Sequence, residues 1–107
     1  MSEFEYFPRD SKKIREIIIR QRQKDQIEKS VTLFAEEMKK KLLENIDKLG
    51  WENESYSYFL GRLHEEIEEL EEFIYKNEKK DKVKLIKECA DIANFAMMIA
   101  DKARKEE

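Results

Sequence analysis

Two glycines and one proline are the only strong chain-breakers in 107 residues. A chain with so little turn punctuation has few ways to build hairpins, so its ordered parts are expected to be long helices. The apolar spacing agrees. Ile14, Ile17 and Ile18 follow Pro8, which is expected to precede a helix capped by Asp10 or Ser11. That pattern fades through Gln21, Gln23 and Gln26. Val31, Phe34, Met38, Leu42, Ile46 and Leu49 then recur at steps of three or four, and Gly50 stands where a helix C-terminal glycine is expected. Nothing in the sequence decides whether residues 11–49 make one helix or two.

WENESYS reads as a connection, with Asn53 or Ser55 as the next N-cap. The helix that follows has Tyr56, Leu60, Leu63, Ile67, Leu70 and Ile74 on one stripe. Asn77 to Asp81 reads as a turn. A last helix runs from about Asp81 to about Arg104; it is apolar nearly all round between Cys89 and Ala100, and is expected to be the most buried of the set. The fold class expected is an all-α helical bundle built on an antiparallel helical hairpin. Residues 1–28 form an N-terminal segment without an assigned role, and residues 29–107 form the helical core. A bundle this small leaves apolar surface that the N-terminal helix or a second subunit is expected to cover.

Charge excludes some functions. Charged residues make up 44% of the chain, against about a quarter in ordinary domains, yet the net charge is only −3. Without a basic face there is no electrostatic reason to expect nucleic acid as a partner. The longest apolar stretches fall far short of the roughly 20 residues of a membrane span, so no membrane is expected. The single cysteine, Cys89, cannot form an internal disulfide, and reads as a buried structural thiol in a cytoplasmic protein.

The chemistry is carried by acids. Glu66 and Glu69 project within one sector of their helix, and Glu88 and Asp91 do the same on the next. Glu88 falls between Ile92, Phe95 and Ile99, and Asp91 and Asn94 follow in the most apolar part of the chain. Glu66 lies beside the Leu63–Leu70 stripe, near Phe59 and Phe73. Carboxylates set among apolar groups are costly unless paired or metal-bound, and no lysine or arginine occurs between Glu88 and Ala100. A hard divalent cation, Mg²⁺ or Mn²⁺, suits such an all-oxygen set. Glu68, Glu71, Glu72 and Glu78 read instead as a solvated face.

Other signatures fail. His64-Glu65 begins like a zinc-protease helix, but Glu68 stands where the second histidine is needed. Gly61 breaks a di-iron pattern, and there is no phosphate-binding glycine loop. His64 reads as a partly exposed packing residue, and Met97 and Met98 read as core.

Glu65-Glu66-x-x-Glu69, eighteen residues, then Glu88-x-x-Asp91 resembles the E-E-x-x-E … E-x-x-D signature of the all-α nucleoside triphosphate pyrophosphohydrolases, the MazG-like superfamily that includes dimeric dUTPases. LHEEIEELEEFI and ECADIANFAMMIAD resemble the two central helices of that fold. The resemblance covers roughly residues 30–103 and is most specific across 63–101. It implies magnesium-dependent cleavage of a nucleoside triphosphate to the monophosphate and pyrophosphate by a homodimer or homotetramer. By motif position, Glu66, Glu69, Glu88 and Asp91 would hold the metal, and Glu65 would assist as a ligand or orient the attacking water. Asn94 matches a polar position that touches sugar or phosphates in part of the family. Trp51, Tyr56 or Phe59 would stack on the base, and Lys84, Lys87 or Arg62 would meet the phosphates. Two competing readings remain: a non-enzymatic interaction or adaptor module, and the same fold acting on another pyrophosphate-containing compound such as a phosphoribosylated metabolite.

Overall fold

The computed structural model describes residues 3–48, 50–76 and 80–106, with side chains described for 11–47, 50–76 and 80–106. Among the described residues it is all-α, without a strand. Helix α1 spans Glu3–Glu44, α2 spans Tyr56–Tyr75 and α3 spans Lys82–Lys105, with short 3₁₀ turns at Ile46–Lys48 and Trp51–Asn53. None of the described helices is long and apolar enough to cross a membrane.

The open question of one helix or two is answered by α1, which is continuous. It begins before Pro8, so Pro8 lies inside the helix rather than ahead of it, and neither Asp10 nor Ser11 caps it. Pro8 is the sixth residue of α1, past the four N–H groups that have no intrahelical partner, so its missing N–H costs the helix one backbone hydrogen bond near its end. At the other end the helix stops at Glu44, short of Gly50. With φ of 145°, Gly50 occupies a conformation that side-chain-bearing residues rarely adopt, but it opens the 3₁₀ turn at Trp51 instead of closing α1. Leu49, the Asn77–Lys79 part of the expected turn, and Glu78 lie outside the described residues.

The two later helices start where side chains supply the missing acceptors. Ser55 Oγ accepts from the Tyr58 N–H at 3.1 Å, which selects Ser55 over Asn53 as N-cap. Asp81 Oδ1 accepts from the Lys84 N–H at 3.1 Å. Each such cap is worth about 1 kcal/mol.

The chain divides into two compact units, residues 1–33 and 34–107. In the first unit, Ile17, Ile18, Ile19 and Ile27 are exposed. Its helix carries local pairs: Gln21 Nε2 donates to Asp25 Oδ1 and Gln26 Nε2 to Ser30 Oγ, both at 2.9 Å. In the second unit α2 and α3 pack against each other. At the start of α2 the Tyr56 hydroxyl donates at 2.8 Å to Oε2 of Glu106, just past the end of α3, and near the end of α2 the Phe73 ring lies 5.1 Å from the ammonium of Lys84, early in α3.

The buried residues of the second unit are Phe59, Phe73, Ala90, Glu66 and Asn94. On α2 the inward face is therefore centred on Phe59, Glu66 and Phe73, a seven-residue step, rather than on the expected Tyr56–Ile74 stripe, of which Tyr56, Leu60 and Ile74 are exposed. Helix α3 is not the enclosed helix its composition implies. Ala96 and Ala100 are exposed, and Cys89, Met97 and Met98 are only half-buried, because its neighbours cover one side of it. His64 is exposed.

Candidate metal centre

Glu66 and Glu69 lie one turn apart on α2, and Glu88 reaches them from α3. One carboxylate oxygen from each lies within 4.8 Å of the others. Glu66 is only 6% exposed, and its position is set by the same inward face that buries Phe59 and Phe73. Asp91, one turn after Glu88, is outside that three-residue set but belongs to the same field of charge: it raises the proton affinity of both Glu66 and Glu88.

The electrostatics show how poorly neutralised the cluster is. Burial, then the Glu69 and Asp91 charges, push the Glu66 carboxyl up to about 7, against which the Arg62 guanidinium works only weakly. The Glu88 carboxyl is raised by burial first and then by Glu69 and Asp91, with Lys84 and Lys41 pulling the other way. Burial raises Asp91 too, opposed by Lys41. Glu88 Oε2 is buried without a hydrogen-bond partner. A buried carboxylate oxygen with no donor is costly, and either a proton or a bound cation relieves it.

Two cations stand at the cluster: Arg62, expected from the sequence to meet phosphates, and Lys41, which the sequence did not single out. Lys41, on α1, places Nζ 3.4 Å from Asp91 Oδ1. Arg62 donates from Nη2 to Glu66 Oε1 at 3.1 Å, pairs through Nη1 with Glu65, and stacks on the Phe95 ring at 5.1 Å. The Arg62–Glu66 spacing of four residues was a legible signal; the Lys41–Asp91 pair, fifty residues apart, was not.

The cluster stands between two recesses. Glu66 and Asp91 line a cavity of about 350 Å³, together with Lys41, Trp51, Arg62 and Asn94. Glu69 and Glu88 line a shallower one of about 270 Å³ with Lys84. Asn94 is 4% exposed; its Nδ2 donates to the Met38 carbonyl at 3.2 Å, and its Oδ1 is buried without a partner. That amide thus ties α3 to α1, and its oxygen is buried without a partner.

The remaining predicted residues fall elsewhere. Glu65 is exposed and held by Arg62, outside the three-carboxylate set. Lys87 is exposed on α3 and lines neither recess. Of the aromatics, Trp51 and Phe59 line the larger cavity, Phe59 with no exposed surface. Tyr56 is not there: its hydroxyl is bonded to Glu106 and Lys102 lies over its ring. Tyr58 and Phe95 line the cavity in its place.

Comparison of the chain with protein-family models, with curated proteins and with solved structures gives no match. The functional reading therefore rests on the residues and their geometry.

Proposed function

We propose that the chain is a metal-dependent nucleotide pyrophosphohydrolase, releasing pyrophosphate and a monophosphate from a nucleoside triphosphate. The observation that carries this reading is the convergence of Glu66, Glu69 and Glu88 with a buried, unpartnered Glu88 Oε2, beside a cavity that holds both acids and cations. The donor set is all oxygen, which fits Mg²⁺ or Mn²⁺. Glu66, Glu69 and Glu88 would hold the ion, with Asp91 as a fourth carboxylate once freed from Lys41. Bound there, the ion would offset the triphosphate charge and lower the proton affinity of a water. The resemblance of E-E-x-x-E … E-x-x-D to the MazG-like motif supports the same assignment.

The chain's own residues supply the rest. The cavity volume is within the range of small-molecule sites. Trp51, Tyr58 and Phe95 offer flat apolar surface to a base, and Lys41 and Arg62 offer charge to phosphates. Asn94, which lines the cavity and whose Oδ1 has no partner, would accept from a ligand N–H or O–H that reached it. An antiparallel α2–α3 hairpin completed by a second copy accounts for the exposed Leu60, Ile74, Val83 and Ile86.

Those same exposed apolar residues favour one competing reading, a non-enzymatic interaction module. Pyrophosphate release from a panel of nucleoside triphosphates with Mg²⁺ or Mn²⁺, beside Asp91→Asn, separates the two. Release that vanishes in the variant supports the hydrolase; silence from a folded protein that binds no metal supports the module.

A further inference from the structure

The larger cavity has two cationic side chains among its lining residues, Lys41 and Arg62, and each is bound to a carboxylate at the cluster. They are not held alike. Arg62 has three anchors: Glu65, Glu66 and the Phe95 ring. Lys41 has one ion pair, to Asp91, and remains about one-fifth exposed at the end of a flexible four-carbon stem. Asp91 in turn feels Glu69 and Glu44 besides Lys41, so Lys41 is the only cation drawing on it among the groups around it.

We propose that Lys41 is a resident counter-ion of the carboxylate cluster, which gives up Asp91 to a divalent cation and then presents its ammonium to a phosphate-bearing anion in the adjoining cavity. Metal and ammonium compete for the same Asp91 oxygens, and a divalent ion at the cluster both replaces the charge that Asp91 lacked and repels Lys41 from it. The side chain is already at the cavity wall, so leaving Asp91 needs rotation of its own stem and no backbone movement. Anion and metal binding then reinforce each other, and by linkage each raises the affinity for the other by the same factor. Asn94, 4% exposed, lines the same cavity and has a buried Oδ1 without a partner, a second polar group there that its surroundings leave unsatisfied.

This inference rests on the metal-site reading, and its test keeps the two apart. The full chain is titrated calorimetrically with Mn²⁺ alone, and then with inorganic pyrophosphate after Mn²⁺ loading. Lys41→Met keeps the apolar stem and removes the charge; it is expected to bind Mn²⁺ about tenfold more tightly, because a competing charge is gone, and to bind pyrophosphate about tenfold more weakly once loaded. Lys41→Arg is expected to restore both toward the wild-type values. Lys40→Met, the exposed neighbour paired with Glu37, is expected to change neither. Circular dichroism confirms folding, and Lys41→Gln is read in the same way if Lys41→Met does not fold. Unchanged or weaker Mn²⁺ binding in Lys41→Met overturns the counter-ion role, as does tighter Mn²⁺ binding with unaltered pyrophosphate affinity. Wild-type protein that binds no Mn²⁺ overturns the metal reading and this proposal together, whereas wild-type Mn²⁺ binding that ignores Lys41 overturns this proposal alone.

Discussion

Two glutamates of α2 are in opposite states. Glu72 is exposed, accepts from Lys76 Nζ at 2.6 Å, and its carboxyl is held below the usual range by that partner. Glu66, less than two turns earlier, is buried among other acids and pushed up to about 7. Both belong to one Glu-rich run, LHEEIEELEEFI. Water and a flexible lysine make the first an ordinary surface charge. Burial and like charge make the second a group that wants a proton or a cation. The contrast shows that acid content marks nothing by itself; the marker is an acid that its own surroundings fail to neutralise.

The sharpest way to break this contrast is to neutralise one acid of the three-carboxylate cluster and one outside it and follow pyrophosphate release. Glu69→Gln is expected to lower turnover by about a hundredfold or more, on the order of the loss when a charge-stabilising group is removed from an active site, whereas Glu72→Gln, paired with Lys76, leaves it unchanged. Equal losses would show that the cluster has no special role.

Metal linkage comes next. Saturating Mg²⁺ or Mn²⁺, at about a hundred times the dissociation constant, is expected to stabilise the wild type by about 2.7 kcal/mol, seen as a rise in melting temperature. Glu88→Gln is expected to lose most of that rise, since it removes the carboxylate whose Oε2 has no partner.

The pH dependence of the metal-free protein sharpens the comparison further. Glu66 has a folded-state pKa of about 7, above its unfolded value of 4.5, so the folded state binds the extra proton. The stability this proton provides is complete below pH 4.5 and is lost as pH rises through about 7, a change on the order of 2 kcal/mol. Denaturant melts in chelator between pH 5 and 8 are expected to show that decline, and Glu66→Gln to flatten it. With metal present the trend is expected to reverse, because deprotonated carboxylates bind the ion better.

A smaller effect separates fold from site. Ser55→Ala removes the α2 cap and is expected to cost about 1 kcal/mol in a denaturant melt, with metal affinity unchanged. The smallest effect is that of Glu72→Gln on the melting temperature, where no measurable change is expected for an exposed pair.

What the sequence determined by itself was local. The scarcity of glycine and proline yields long helices, α2 begins after Asn53 or Ser55 and α3 near Asp81, and a spacing of three residues puts Glu66 beside Glu69 and Glu88 beside Asp91. These follow from the helical repeat, which acts over a few residues. Which sector of each helix faces a neighbour was decided only in three dimensions. The apolar stripe Tyr56–Ile74 and the face Phe59–Glu66–Phe73 are both spaced for burial, and packing against α3 selects the second. Likewise no local spacing joins Lys41 to Asp91 or Asn94 to the Met38 carbonyl; α1 must be packed beside α3 for either contact to exist. Tertiary structure therefore turned acids that look alike in the sequence into solvated charges such as Glu72 and a poorly neutralised cluster around Glu66, because desolvation and Coulomb energy depend on distances through space rather than along the chain.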